Sequence, residues 1–396
     1  MTVKNDIITF AASKLLGGID PARALETSSE LPHRLACLAQ RLPIEFLSTS
    51  YSSSLADPQN VQVQSHLCVV IRVIDDLEMM ITTSPSEPIL SEAAYWLMST
   101  PSFKAADALK SVLGGFLVHS GDRGELVVML LLTIARDKAI GPPNEYGCPE
   151  RGARWCSVNT FLSNLFTESS WAAIGEKRSS MEKALGDSKL YFSHFIKVHQ
   201  FAILNPEYII PLMARGAAIL CATSQKGVDL VIPFTRGGLR KEDLGVILVQ
   251  VKNDQRFGAT PELEEIERMS IKGLSNIPTL RFFFALAAKD HSITPVDIPS
   301  QPPDSFGFWV AGLSSKFLRP IGGEEEIWSE LLGASRGWDE IYVEHGRGEK
   351  EGRDRVTNQR RSMYPGGGTA DAHWESWCKS PTEKEDTEEE DMKVDE

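Results

Sequence analysis

GVDLVIPFTRGGLRKEDLGVILVQVKN (residues 227–253) holds two runs rich in Val and Ile, VDLVIPF and VILVQVK, on either side of a polar, glycine-containing loop. β-Branched runs of this length between turn-forming residues read as strands. A loop of about ten residues lets the second strand fold back antiparallel beside the first. Side chains alternate across a strand, so Val246, Leu248, Gln250 and Lys252 share one face, and Ile247, Val249 and Val251 share the other. Asp229 opens the first strand, and the fold-back brings it to the end of the second, beside Gln250 and Lys252.

Working outward, AAILCA (217–222) reads as a third strand, LRFFFALAA (280–288) is open between strand and helix, and WVAGL with the helix GGEEEIWSELL closes the ordered part. Toward the N-terminus the pattern is helical. Asp20-Pro21 marks a helix entry. Val63, Leu67, Val70, Ile74, Leu77 and Ile81 recur at three and four, which predicts one helix from about Val61 to Ile81. GDRGELVVMLLLTIARD (121–137) opens with turn glycines and continues as a helix apolar nearly all round, with Glu125 on its first turn. Met181 to Gln200 reads as a further helix, and Asn205-Pro206 starts another that runs to about Arg215. The expected fold is α/β: a mixed β-sheet flanked by helices over residues 106–345, with a helical insertion at about 140–205. A helical N-terminal region covers 1–105. Residues 346–396 contain too little apolar material to offset ordering entropy, so a disordered acidic C-terminal tail is expected.

Composition bounds the function classes. The chain has 396 residues, 42% hydrophobic and 24% charged, which fits a globular protein and excludes collagen-like or wholly disordered ones. The ten-residue apolar run Leu126–Ala135 is about half of what a bilayer-spanning helix needs. No membrane partner and no secretion signal are therefore expected, and the nucleus or cytoplasm is the expected place. Six scattered cysteines without a CxxC pair read as reduced thiols. Net charge is −13, but residues 381–396 hold nine acids against two lysines, which leaves the other 380 residues at −6. Any nucleic-acid contact must then come from a local basic patch, and Arg236, Arg240 and Lys241 in the loop between the two decisive strands offer one. The acidic tail reads as a solubilising segment, or as an imitation of nucleic acid that occupies this loop.

An acid, an amide and an ammonium at one sheet end suit phosphodiester hydrolysis. That chemistry needs a hard cation, oxygen ligands that hold it, and a cation or base near the attacking water. Asp229 would be the main Mg²⁺ (or Mn²⁺) ligand, Gln250 a neutral oxygen ligand, and the Val251 carbonyl a third. Lys252 would orient water, and Glu125 would complete the set. Glu207, in NPEYIIPLMARG, competes with Glu125 for the last role. Glu125 is preferred because it opens a buried helix. The competing structural readings are a turn acid at Asp229 after Gly227 and a solvated strand end at Lys252.

GVDLVIP (227–233), VILVQVKN (246–253) and the helix of GDRGELVVMLLL (121–132) resemble the PD-(D/E)XK, restriction-endonuclease-like nuclease superfamily, in its Mrr-like Gln-x-Lys form. The whole chain also resembles a large fungal family that shares the RGEL helix and the spacing from Asp to QVK. The resemblance implies a mixed sheet flanked by helices, Mg²⁺-dependent cleavage of DNA in preference to RNA, and a link to mobile elements. The sequence departs in having Val228 where a proline is usual, Gln250 where a second acid is usual, and about 80 residues between the Glu125 helix and the first strand.

His194 and His199 are five apart and do not share a helical face, so both read as ordinary helix residues. No phosphate-binding GxxxxGK[ST] loop and no GxSxG serine elbow is present. The expected function is a metal-dependent nuclease. The alternative is an inactive nuclease fold serving as a nucleic-acid-binding or protein-interaction module. Oligomeric state is not readable from the sequence.

Overall fold

The computed structural model describes residues 3–333 except 22–30, 45, 48–52, 75–78, 116–119, 145–146, 151, 199–202, 223–226, 299–301 and 303. The tail from 346 onward lies outside the described residues, as do His199 and most of the helix predicted after Pro21.

The decisive stretch folds as an antiparallel hairpin. β7 (Leu230–Thr235) pairs with β8 (Leu244–Lys252) in a register that sets Leu230 opposite Val249 and Thr235 opposite Leu244. β6 (Ala217–Leu220) runs antiparallel to the first half of β7, and β4 (Lys189–Leu190) to its last residues. β5 (His194–Lys197) lies parallel to β6. On the other side, β8 crosses over through the short helix Leu263–Glu267 to β9 (Thr279–Ala285), which is parallel to it. β11 (Phe306–Ala311) is parallel to β9, and β10 (Ser292–Val296) closes the edge antiparallel to β11. The result is a mixed eight-stranded sheet, and LRFFFALAA resolves to strand β9.

Each face of this sheet is covered. Leu230, Ile232, Phe234, Ile247, Val249, Val251, Phe282 and Phe284 face one core, shared with the long central helix Ser120–Ile140 and with the N-terminal helices Val3–Leu15, Leu31–Arg41, Pro88–Met98 and Ala105–Gly115. Val231, Val246, Leu248, Phe283 and Trp309 face a second core, closed by helices Pro206–Ala214 and Leu263–Glu267. The strict alternation within β8 is what divides the layers. Among the described residues no helix is long and apolar enough to cross a membrane, and the five described cysteines are free.

Three expectations are corrected. The N-terminal region is not wholly helical. The predicted Val61–Ile81 helix stops at Ser65, Leu67 turns in the left-handed region at φ 58°, and the chain continues as β2 (Val69–Ile74) and β3 (Met79–Thr83). With β1 (Phe46–Leu47) these make a separate antiparallel sheet in the order β1-β3-β2. VVIRVI is β-branched, and its pairing to β3 outweighs a spacing that mimics helical period. The Met181–Gln200 helix is also absent: helix Glu176–Ala184 ends, and β4 and β5 follow. Finally, the central helix begins at Ser120, so its glycines are helical and Glu125 sits on the second turn.

Candidate active site at the ends of β7 and β8

Gly227 sets the entry to β7. It holds φ +82°, and the Arg268 carbonyl occupies the place where a Cβ would stand, so only glycine passes here without strain. Two residues on, the Asp229 backbone joins the ladder: its N–H donates to the Val249 carbonyl at 2.8 Å, and its carbonyl accepts from Cys221 N–H at 2.7 Å. Continuing the registers of β6, β7, β8, β9 and β11 puts Cys221, Asp229, Gln250, Phe283 and Trp309 in one row across the sheet, on the face of the second core.

The Asp229 carboxylate turns to β8. Its Oδ2 accepts the Gln250 Nε2–H at 2.7 Å and the Val251 backbone N–H at 2.6 Å. Gln250 is buried, so both bonds form in a low-dielectric setting, and hydrogen bonds to a charged group contribute about 1.5–3 kcal/mol each. A residue in an extended strand points its N–H and C=O toward the same neighbour, so the Val251 carbonyl faces the same side as the N–H that meets Asp229. Lys252 follows, half-buried, with its carbonyl accepting from Leu286 N–H at 2.8 Å. Its charge reaches Asp254, whose carboxyl is held low first by hydrogen bonds from Arg256 and in smaller part by Lys252.

Glu125 enters from the opposite layer at the same sheet end. Gly124 permits the approach, because a Cβ there would already meet Val251 Cγ1 at 3.2 Å and Asn253 Cβ at 3.3 Å. Burial pushes the Cys221 thiol well above its ordinary pKa, and the charges of Asp229 and Glu125 push it further. The two carboxylates therefore act on one buried sulfur. Glu207 is elsewhere: it is exposed and pairs with Lys241 at 3.5 Å. Lys241 belongs to the β7–β8 loop, roughly 20 Å along β7 from Asp229 at about 3.3 Å per residue.

That loop carries the three predicted nucleic-acid contacts, at the end of the sheet away from Asp229. Each is paired with a carboxylate: Arg236 with Asp304 at 2.9 Å, Arg240 with Asp243 at 2.9 Å, and Lys241 with Glu207.

A buried charge network escaped the sequence reading. Arg41 and Arg136 are fully buried. Arg41 grips Asp137 at 2.8 Å and the Ser193 carbonyl, while Arg136 binds Glu92 at 2.8 Å and Asp137 at 3.1 Å. Arg154 pairs with the second oxygen of Glu92. Despite burial, the surrounding arginines hold the Glu92 carboxyl below its usual range. His194, predicted to be helical, lies in β5 with Nε2 at 2.8 Å from Ser86 Oγ and Nδ1 at 3.1 Å from Ser193 Oγ. Burial, then Arg41 and Arg215, lower its pKa to about 4. A signal was present, since Arg41, Glu92 and Arg136 each interrupt an apolar helical stripe.

Among the described residues no three His, Cys, Asp or Glu side chains gather to hold an ion. A cation at this sheet end would depend on the amide and backbone oxygens of Gln250 and Val251 as well as on the acids.

The fold and this sheet end define a mixed α/β protein with an acid-amide-lysine constellation at the ends of two central strands of its main sheet. The chain belongs to the family described as "Domain of unknown function (DUF8736)", which matches residues 30–263 and so takes in Glu125, Asp229, Gln250 and Lys252. No curated protein and no solved structure matches the chain.

Proposed function

We propose that the ends of β7 and β8 form the cleavage site of a metal-dependent nuclease of the PD-(D/E)XK type, acting on nucleic acid, with DNA the preferred substrate. The observation that carries this reading is the meeting of Asp229 with Gln250 and Val251 at 2.7 and 2.6 Å, with Lys252 on the same face and Glu125 at the same sheet end.

The donor set fits Mg²⁺ or Mn²⁺. Carboxylate oxygens of Asp229 and Glu125, the Gln250 amide oxygen and the Val251 carbonyl are all hard ligands. Gln250 now turns Nε2 to Asp229, so offering Oε1 requires its amide plane to rotate, which exchanges one charge-assisted bond for ligation. When bound, the cation would polarise the phosphoryl oxygen. The chain's own contribution is to fix Asp229 against two donors and to hold the Lys252 ammonium where it can orient water. Arg236, Arg240 and Lys241 would meet the backbone of the same nucleic acid at a distance, after release from their carboxylate partners.

One observation favours a second reading. Gln250 satisfies Asp229 without any ion, which suits an inactive fold kept as a nucleic-acid-binding or interaction module.

Incubation of the purified full-length protein with DNA and RNA, in Mg²⁺ or Mn²⁺, decides between them. Cleavage that Lys252→Ala removes while the fold persists supports the enzyme. Absence of cleavage by the wild type, or equal cleavage by the variant, rejects it.

A further inference from the structure

Arg281 projects from β9 on the face that carries Asp229, Gln250 and Lys252. Its register sets it opposite Leu248 in β8 and Gly307 in β11, one pleat away from the level of Gln250 and Phe283. With strands about 4.8 Å apart and two residues spanning about 6.6 Å, the Cα atoms of Arg281 and Gln250 are roughly 8 Å apart. An arginine side chain covers most of that distance.

The guanidinium is largely buried, and among the described residues no hydrogen-bonded counter-charge meets it. Only 8% of the residue is exposed, and Nε is sealed from solvent with no hydrogen-bond partner. Among the described residues no carboxylate or carbonyl takes a hydrogen bond from it, in contrast to Arg41 and Arg136, which are gripped by Asp137 and Glu92. Burial lowers the pKa of Arg281, and Glu267, exposed on the covering helix, opposes this only through space. Phe283 and Trp309 stack at the next level with centroids 4.0 Å apart.

An uncompensated charge in such a place costs several kcal/mol. At Arg41 and Arg136 this protein meets that cost with internal acids. Here no acid among the described residues is hydrogen-bonded to the guanidinium and Glu267 acts only through space, while Nε is the only one of the three nitrogens sealed without a partner, so the other two remain approachable.

We propose that Arg281 seats a phosphate group of the substrate strand beside the Asp229–Gln250 couple, as a positioning residue for the cleavage reaction. The identity of the anion rests on the nuclease reading; the need for an anion does not. A guanidinium fork matches two phosphate oxygens. A free carboxylate is the poorer guest, because Asp229 and Glu125 at the nearby sheet end repel it, whereas a phosphodiester arriving with a divalent cation is neutralised there.

The test uses full-length wild type, Arg281→Met and Arg281→Lys. A short labelled DNA duplex is titrated in Ca²⁺, its cleavage is followed in Mg²⁺, and thermal melting is recorded with and without inorganic phosphate. Arg281→Met is expected to weaken duplex binding roughly 10- to 100-fold and to raise KM by a similar factor. It is also expected to keep or raise Tm, because an unpaired buried charge has gone. Arg281→Lys should fall between the two. Unchanged affinity and KM in Arg281→Met overturn the proposal, as does a loss of Tm in both variants, which would make the residue structural. If the wild type neither binds nor cuts DNA, the nuclease reading fails by itself, and phosphate then decides for Arg281. A Tm rise in the wild type that Arg281→Met abolishes upholds an anion seat, and no rise removes it.

Discussion

Gln250 Nε2 donates to Asp229 Oδ2 at 2.7 Å, and this bond ties the residue just before β7 to the strand β8 two residues from its end. Replacing the amide by an acid reverses its sign. Gln250→Glu should set two carboxylates against each other and lower stability by about 1–3 kcal/mol in EDTA. Mg²⁺ should restore the Tm of this variant by more than it shifts the wild type. Melting curves with and without the cation check this, and an unresponsive variant would speak against a cation at this sheet end.

Lys252→Ala and Asp229→Asn are each expected to cut Mg²⁺-dependent cleavage at least about 100-fold. Circular dichroism should show the fold intact for Lys252→Ala, since that side chain is only half-buried at a strand end.

The two glutamates separate sharply. Glu207→Gln removes an exposed ion pair with Lys241 and should change stability by no more than about 0.5 kcal/mol and leave cleavage unaltered. Glu125→Gln should lower cleavage. Side-by-side turnover rates settle which acid serves the site.

Gly124→Val should act on the same place by displacement. Its added carbons would press on Val251 and Asn253, moving the central helix off the sheet. A loss of about 1–3 kcal/mol in urea unfolding is expected, together with reduced cleavage.

Stability should fall on the acid side before most carboxylates titrate. The folded His194 pKa, about 4, lies below its ordinary 6.5, so the neutral ring contributes fully above 6.5. That contribution, on the order of 3 kcal/mol, is lost as pH falls from about 6.5 toward 4. Glu92, also depressed, adds a loss below its ordinary 4.5. Urea unfolding across this range should flatten in His194→Gln between 6.5 and 4. Glu92→Ala should cost about 3–5 kcal/mol at neutral pH by stranding Arg136.

The hairpin was legible because two apolar strands and a polar loop are local, and alternation in VILVQVK alone assigns Gln250 and Lys252 to one face. The pairing of Asp229 with Gln250 followed from that hairpin. β2 and β3 were not legible, since Val63 to Ile81 satisfies a helical spacing by coincidence and only cross-strand partners reveal the pleat. His194 was misplaced for a related reason: β5 is stabilised by β6, more than twenty residues further on. The Arg41, Glu92 and Arg136 network hides because charged residues on a helix usually face water, and only three helices meeting in space show otherwise. Arg281 was passed over inside an apolar run whose strand or helix character was open.

The family match stops at Leu263, yet β9 and β11 lie beyond it and supply Phe282, Phe284, Phe308 and Val310 to the layer that the N-terminal helices also fill. A polypeptide ended at that boundary would leave β8 as a bare, adhesive rim and the aromatic layer half empty, so it should aggregate when expressed. The sheet itself runs past the family match, through β9, β11 and β10.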